Sequence, residues 1–132
     1  MRRAALAALL ALCTGACGYT GGGMDNSGGA LSMTTVEEIT VAGDYQAVAS
    51  CAFARFYKWA GAGLNKIDLP PQKSSQISQE SGGVRYWQVD LRETSKGQTH
   101  AKLAVVQTMW GPSRAGAEAV ISDIKACSSP IR

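Results

Sequence analysis

Apolar residues recur along the middle of this chain at spacings of three and four: Tyr45, Val48, Ala49, Ala52, Phe53, Phe56, then Trp59 or Ala60. That period puts them on one face of a helix. Gly43-Asp44 precedes the run, and the Asp44 carboxylate is suited to accept the free N–H groups of a first helical turn. Gly61 and Gly63 follow it and stop the helix. Cys51 falls on the flank of the apolar stripe. A second stripe, Ala117, Val120, Ile121, Ile124 and Cys127, predicts another helix, with Ser113 as its cap and Ser128-Ser129-Pro130 as its end.

Between the two helices the period changes to two. Residues 84–94 (VRYWQVDLRET) set Trp87, Val89 and Leu91 on one face and Tyr86, Gln88, Asp90 and Arg92 on the other. Ser95-Lys96-Gly97 predicts a hairpin turn. Residues 98–110 alternate again, with Ala101, Leu103, Val105 and Met109 facing one way and His100, Lys102, Val106 and Trp110 the other, and Gly111-Pro112-Ser113 ends that strand. A short strand is expected near residues 36–41. Residues 64–80, broken by Pro70-Pro71, read as short edge-type strands. Elements with one apolar face each are buried most simply by placing both helices on one face of an antiparallel sheet. The expectation is a two-layer α+β domain of three to five strands.

The amino terminus follows a different pattern. Arg2-Arg3 is followed by nine consecutive apolar residues, 4–12 (AALAALLAL), with no polar face. This is the layout of an export signal, too short to span a bilayer as a permanent helix. Residues 1–16 are therefore read as a signal peptide. Without them the formal charge falls from +3 to +1, since 13 basic residues less two leaves 11 against 10 acidic. So small a net charge gives no reason to expect nucleic acid as a partner.

At the end of the signal stand Thr14-Gly15-Ala16-Cys17. This resembles the lipobox of bacterial lipoproteins, in which small residues precede a cysteine that is diacylglycerated and becomes the first residue of the mature chain. Thr14 departs from the leucine commonest at its place, while Gly15 and Ala16 match. The resemblance implies lipid attachment at Cys17. Thr14-x-Ala16 also suits an ordinary signal peptidase, which would cut the same bond and leave a soluble periplasmic protein. Cysteine parity separates the two routes. Of the four cysteines, Cys13 leaves with the signal, and a lipid on Cys17 leaves Cys51 and Cys127 as an even pair. Both sit on the predicted helices, so side-by-side packing could join them; two separate buried thiols is the alternative.

Residues 18–33 (GYTGGGMDNSGGALSM) contain six glycines in sixteen positions. That composition predicts a flexible tether. It lacks the strand, helix and GK[ST] ending of a phosphate loop. With Cys17 it forms the segment 17–33, ahead of a single domain 34–132. The lipobox, the run VAGDYQAVASCAFARF and the late helical cysteine together resemble small, largely uncharacterised proteobacterial lipoproteins. In enterobacterial members, aspartate after the lipid cysteine retains the protein at the inner membrane. Gly18 at that place implies the periplasmic side of the outer membrane, with the membrane itself as a partner through the lipid.

Chemistry is sparse. His100 is the one histidine and has no cysteine or carboxylate at ligand spacing, so no metal and no cofactor is expected. No G-x-S-x-G or S-x-x-K occurs, and a triad of His100, Asp90 and an unplaced serine has little to support it. Glu37-Glu38, adjacent in a strand, point to opposite faces. No catalytic residue is assigned. Two functional classes remain: an envelope-anchored interaction or structural module, meeting a protein or glycan through an outer face bearing Tyr86, Val106 and Trp110, and a hydrolase with an unrecognised site. Ordinary β-propensity is the alternative explanation of those three residues.

Overall fold

The computed structural model describes residues 32–128. The signal peptide, Cys17 and almost all of the glycine-rich segment lie outside the described residues. The elements in order are β1 (Met33–Ala42), α1 (Tyr45–Ala60), β2 (Leu64–Leu69), a 3₁₀ turn (Pro70–Gln72), β3 (Ser74–Ser81), β4 (Val84–Ser95), β5 (Gln98–Thr108), β6 (Gly111–Pro112) and α2 (Ala117–Ala126). All strand pairs are antiparallel, in the order β1-β5-β4-β3-β2, with β6 paired to the end of β5. Both helices pack on one face, α1 over β3 and β4 and α2 over β1 and β5. The domain is a two-layer α+β fold, as the two periodicities require.

Helix α1 makes the long connection. Its sixteen residues span about 24 Å. The two edge strands β1 and β2 are separated by about 19 Å across four strand spacings, so one helix carries the chain from edge to edge. Asp44 caps it, with Oδ1 accepting the Ala47 N–H at 2.9 Å, and Gly61 ends it at φ 61°. From β2 the chain then meanders back strand by strand until β5 closes against β1.

The core lies between the layers. Val48, Ala49, Ala52 and Phe56 of α1 meet Ile77, Trp87, Val89 and Leu91 from the sheet, and Val120 and Ile124 of α2 meet Ala101, Leu103 and Val105. Complete burial of each large side chain contributes roughly 1.5–3 kcal/mol. Phe56, Trp59 and Trp87 form an aromatic cluster with ring centroids 5.3–5.8 Å apart. The buried Trp87 indole donates to Gln79 Oε1 at 2.7 Å, across the β3–β4 pair, so its polar atom is not left unpaired.

Four local expectations are corrected. β5 stops at Thr108, so Met109 does not face the core with Ala101, Leu103 and Val105; it is 88% exposed. Gly111-Pro112 does more than end the strand, because it returns as β6 against Gln107 and Thr108. Ser113 does not cap α2, because its N–H donates to Val106 O at 2.9 Å and keeps it in the hairpin, short of the cap position that Gly116 takes. The helix begins after Gly116 at φ 81°. β3 is an inner strand between β2 and β4, and of the two strands in residues 64–81 β2 alone is an edge. Pro70-Pro71 opens a single 3₁₀ turn, where the missing N–H groups cost nothing.

The helices are joined by a seam read at intervals of four along α1. Cys51 is bonded to Cys127, with 5.7 Å between Cα atoms. Arg55 Nε lies 3.0 Å from Asp123 Oδ1, and Trp59 Nε1 donates to Asp123 Oδ2 at 2.8 Å. The expected cysteine pairing is thus present in the structure.

Candidate functional site

Among the described residues no helix lies on the second face of the sheet, and its side chains follow from the strand pairing. One rung runs Glu38, Lys102, Asp90, Gln76 and Ile67 across β1, β5, β4, β3 and β2. The next runs Thr40, His100, Arg92, Ser74 and Leu69. All of these except Thr40 and Ile67 line a shallow groove of about 510 Å³, with Leu69 and Gln72 at the 3₁₀ turn on one side. Charges alternate across the rung: Lys102 stands between two carboxylates, the arrangement that favours adjacent strands.

Several of these groups are fixed. Gln76 Nε2 donates to Asp90 Oδ1 at 3.0 Å and Gln88 Nε2 to the same oxygen at 3.2 Å. His100 Nε2 lies 3.2 Å from Glu38 Oε1, and its Nδ1 lies 3.3 Å from Thr40 Oγ1. Arg92 and Lys102, in contrast, make no ion pair within 4.0 Å among the described residues. The groove therefore offers two solvent-facing cations on a floor of oriented amides and carboxylates. A guanidinium and an ammonium in this setting suit carboxylate, phosphate or sugar hydroxyl groups.

His100, Asp90 and Ser74 all border the groove. The pairing puts Asp90 one rung from His100 on the same face, nearer than the hairpin turn alone suggested. Ser74 stands across β4 from His100, about 10 Å away over two strand spacings. Both ring nitrogens of His100 already face Glu38 and Thr40. These three residues do not form a nucleophile–base pair in this arrangement. Among the described residues no group of three or more His, Cys, Asp or Glu side chains is placed to hold a metal ion.

The aromatic face expected from the alternation is only partly present. Tyr86 is 45% exposed and Trp110 is 91% exposed, but Val106 is buried to 5% and offers no surface. The β6 return, with Ser113 bonded to the Val106 carbonyl, accounts for this. Trp110 does not lie on a strand at all; it sits in the turn between β5 and β6. Cys17, the expected lipid site, lies outside the described residues. Among those described, no helix is long and apolar enough to cross a membrane.

The charged groove was the feature that sequence reasoning missed. Its signal was present in the alternation, which set Gln88, Asp90, Arg92, His100 and Lys102 on one side. No family model, no curated protein and no solved structure matches this chain.

Proposed function

We propose that this chain is a lipoprotein of the bacterial cell envelope, anchored through Cys17, whose domain is a non-catalytic interaction module. The domain binds a polar envelope component, a protein segment or a glycan, in the groove on the open sheet face. The observation that supports this most directly is the pair Arg92 and Lys102, which face solvent without ion-pair partners among the described residues above bound amides and carboxylates. The floor beneath them is already held by the bonds of Gln76 and Gln88 to Asp90, so a ligand has only the two cationic side chains to order. The lipobox-like Thr14-Gly15-Ala16-Cys17 supports the anchor, and Gly18 supports the outer membrane.

The site is tested by photocrosslinking in intact cells from a residue replacing Gln76 in the groove, with Lys58 on α1 as the control position. A specific adduct from position 76 that disappears with Arg92→Glu and Lys102→Glu is the expected result. An adduct indifferent to both charge reversals would overturn the site. The anchor is tested by the mass of the mature protein, which should show an acylated Cys17 as residue one.

A further inference from the structure

We infer that the tip of the β5–β6 hairpin, Met109-Trp110, docks into the phospholipid surface that holds the amino terminus, an inference that rests on the lipoprotein reading above. Met109 and Trp110 are 88% and 91% exposed, well beyond any other large hydrophobic residue described. The turn itself does not ask for them. Thr108 and Gly111 pair across it, Thr108 Oγ1 accepts the Trp110 N–H at 3.2 Å and donates to Gly111 O at 2.7 Å, and Gly111 supplies the positive φ of 108°. Two-residue hairpin loops ordinarily carry Asn, Asp or Gly. The other two-residue turn beside this strand, Lys96-Gly97, obeys that chemistry. Two large apolar side chains held out into water are therefore a feature to be explained by what they meet.

The path of the chain names the occupant. Ser32, the first described residue, accepts the Gln107 N–H at 2.9 Å, and Thr34 Oγ1 bonds Gln107 Oε1 at 2.8 Å. The chain thus enters the fold directly beside the hairpin, and Trp110, three residues beyond Gln107, lies within about 12 Å by chain length alone. Fourteen residues, 18–31, separate Cys17 from Ser32, a span of at most about 50 Å even when fully extended. A lipid on Cys17 keeps this end of the domain near the bilayer at high effective concentration, so a weak apolar contact is enough. Tyr86, 45% exposed at the start of β4, belongs to the same end of the sheet. Arg114, two residues after β6, is exposed and adds a cation for headgroups. Trp and Tyr with nearby basic residues are what lipid–water interfaces select.

The test uses the full-length protein purified from a bacterial envelope, its amino-terminal mass measured, then reconstituted into phosphatidylethanolamine–phosphatidylglycerol vesicles with brominated acyl chains. Bromine quenches only tryptophan that reaches the acyl region. The expected result is an acylated chain whose tryptophan emission is quenched, with the quenching lost in Trp110→Phe while circular dichroism is unchanged. An acylated chain that is not quenched, or is quenched equally in Trp110→Phe, overturns the docking and leaves the anchor standing. Emission that shifts with protein concentration in place of bromine content assigns the tip to a second copy and also overturns it. An unacylated chain overturns the anchor and the docking together.

Discussion

Trp59 donates its indole N–H to Asp123 at 2.8 Å, and this one carboxylate also receives the guanidinium of Arg55, two residues that α1 presents at successive turns. The bond ties α1 to α2 at the end of the seam away from the Cys51–Cys127 bridge. It also sets the indole of Trp59 against Trp87 at 5.8 Å, so the aromatic cluster and the helix pair share one polar hinge point. Asp123→Ala should destabilise the domain by about 1–2 kcal/mol, since a half-exposed arginine adds little and the bond to a charged acceptor adds more. Urea unfolding of the two proteins side by side would show it, with an unchanged slope.

The disulfide closes a loop of 76 residues in sequence separation. On chain-entropy grounds it contributes about 4–5 kcal/mol by restricting the unfolded state, a large share for a domain of this size. A Cys51→Ala, Cys127→Ala double variant should unfold at much lower denaturant concentration. Reducing the wild-type protein should reproduce the variant's midpoint, and a reductant-independent midpoint would contradict the account.

Gly63 sits at φ 94° with space for no side chain. A Cβ there would come within 2.3 Å of the Glu80 carbonyl oxygen, because the Glu80 N–H donates to Gly63 O at 2.8 Å. Gly63→Ala should cost roughly 2 kcal/mol or more, combining the backbone strain with displacement of β3. Gly97→Ala, at φ 79° in open space, should cost about 1 kcal/mol. Equal losses in thermal melts would argue against the close approach.

Asp68 gives the domain a pH dependence with a definite sign. The Ser75 hydroxyl, and then Lys66 at 3.1 Å, hold its carboxyl below the ordinary value of 3.8. A depressed folded-state pKa means that the carboxylate stabilises the fold at pH values above its unfolded pKa. That contribution fades as pH falls through the folded one. Stability should decline on acidification below about pH 4, and Asp68→Asn should flatten that limb while lowering stability at neutral pH. Denaturation midpoints at neutral and acid pH check both halves.

Much of the architecture was legible because each element carries its own periodicity. The stripe from Tyr45 to Ala60 predicts α1, with Asp44 and Gly61 as its limits, and the alternation of Trp87, Val89 and Leu91 against Ala101, Leu103 and Val105 predicts β4, β5 and their buried faces. What alternation could not report is where it stops. Extended past Thr108, it misassigned Met109 and placed Val106 and Trp110 on a common surface, because a two-residue return strand leaves almost no periodic trace.

The β1 side of the groove lay beyond the alternation for a different reason. Glu38 and His100 are 62 positions apart, and their contact depends on the β1–β5 register. A bulge between Thr35 and Glu37 shifts that register, and no local pattern reports it. Side-chain chemistry and local period by themselves determined the helices, the inward faces of the long strands and an even number of cysteines for the domain. Tertiary structure alone decided which strands are neighbours, and with that the meeting of Lys102, Asp90 and Glu38 in one rung, the joining of Cys51 to Cys127 and the placing of Trp110 beside the point where the chain enters the fold. Pairing energies between distant segments, and the burial they permit, exist only once the chain has closed on itself.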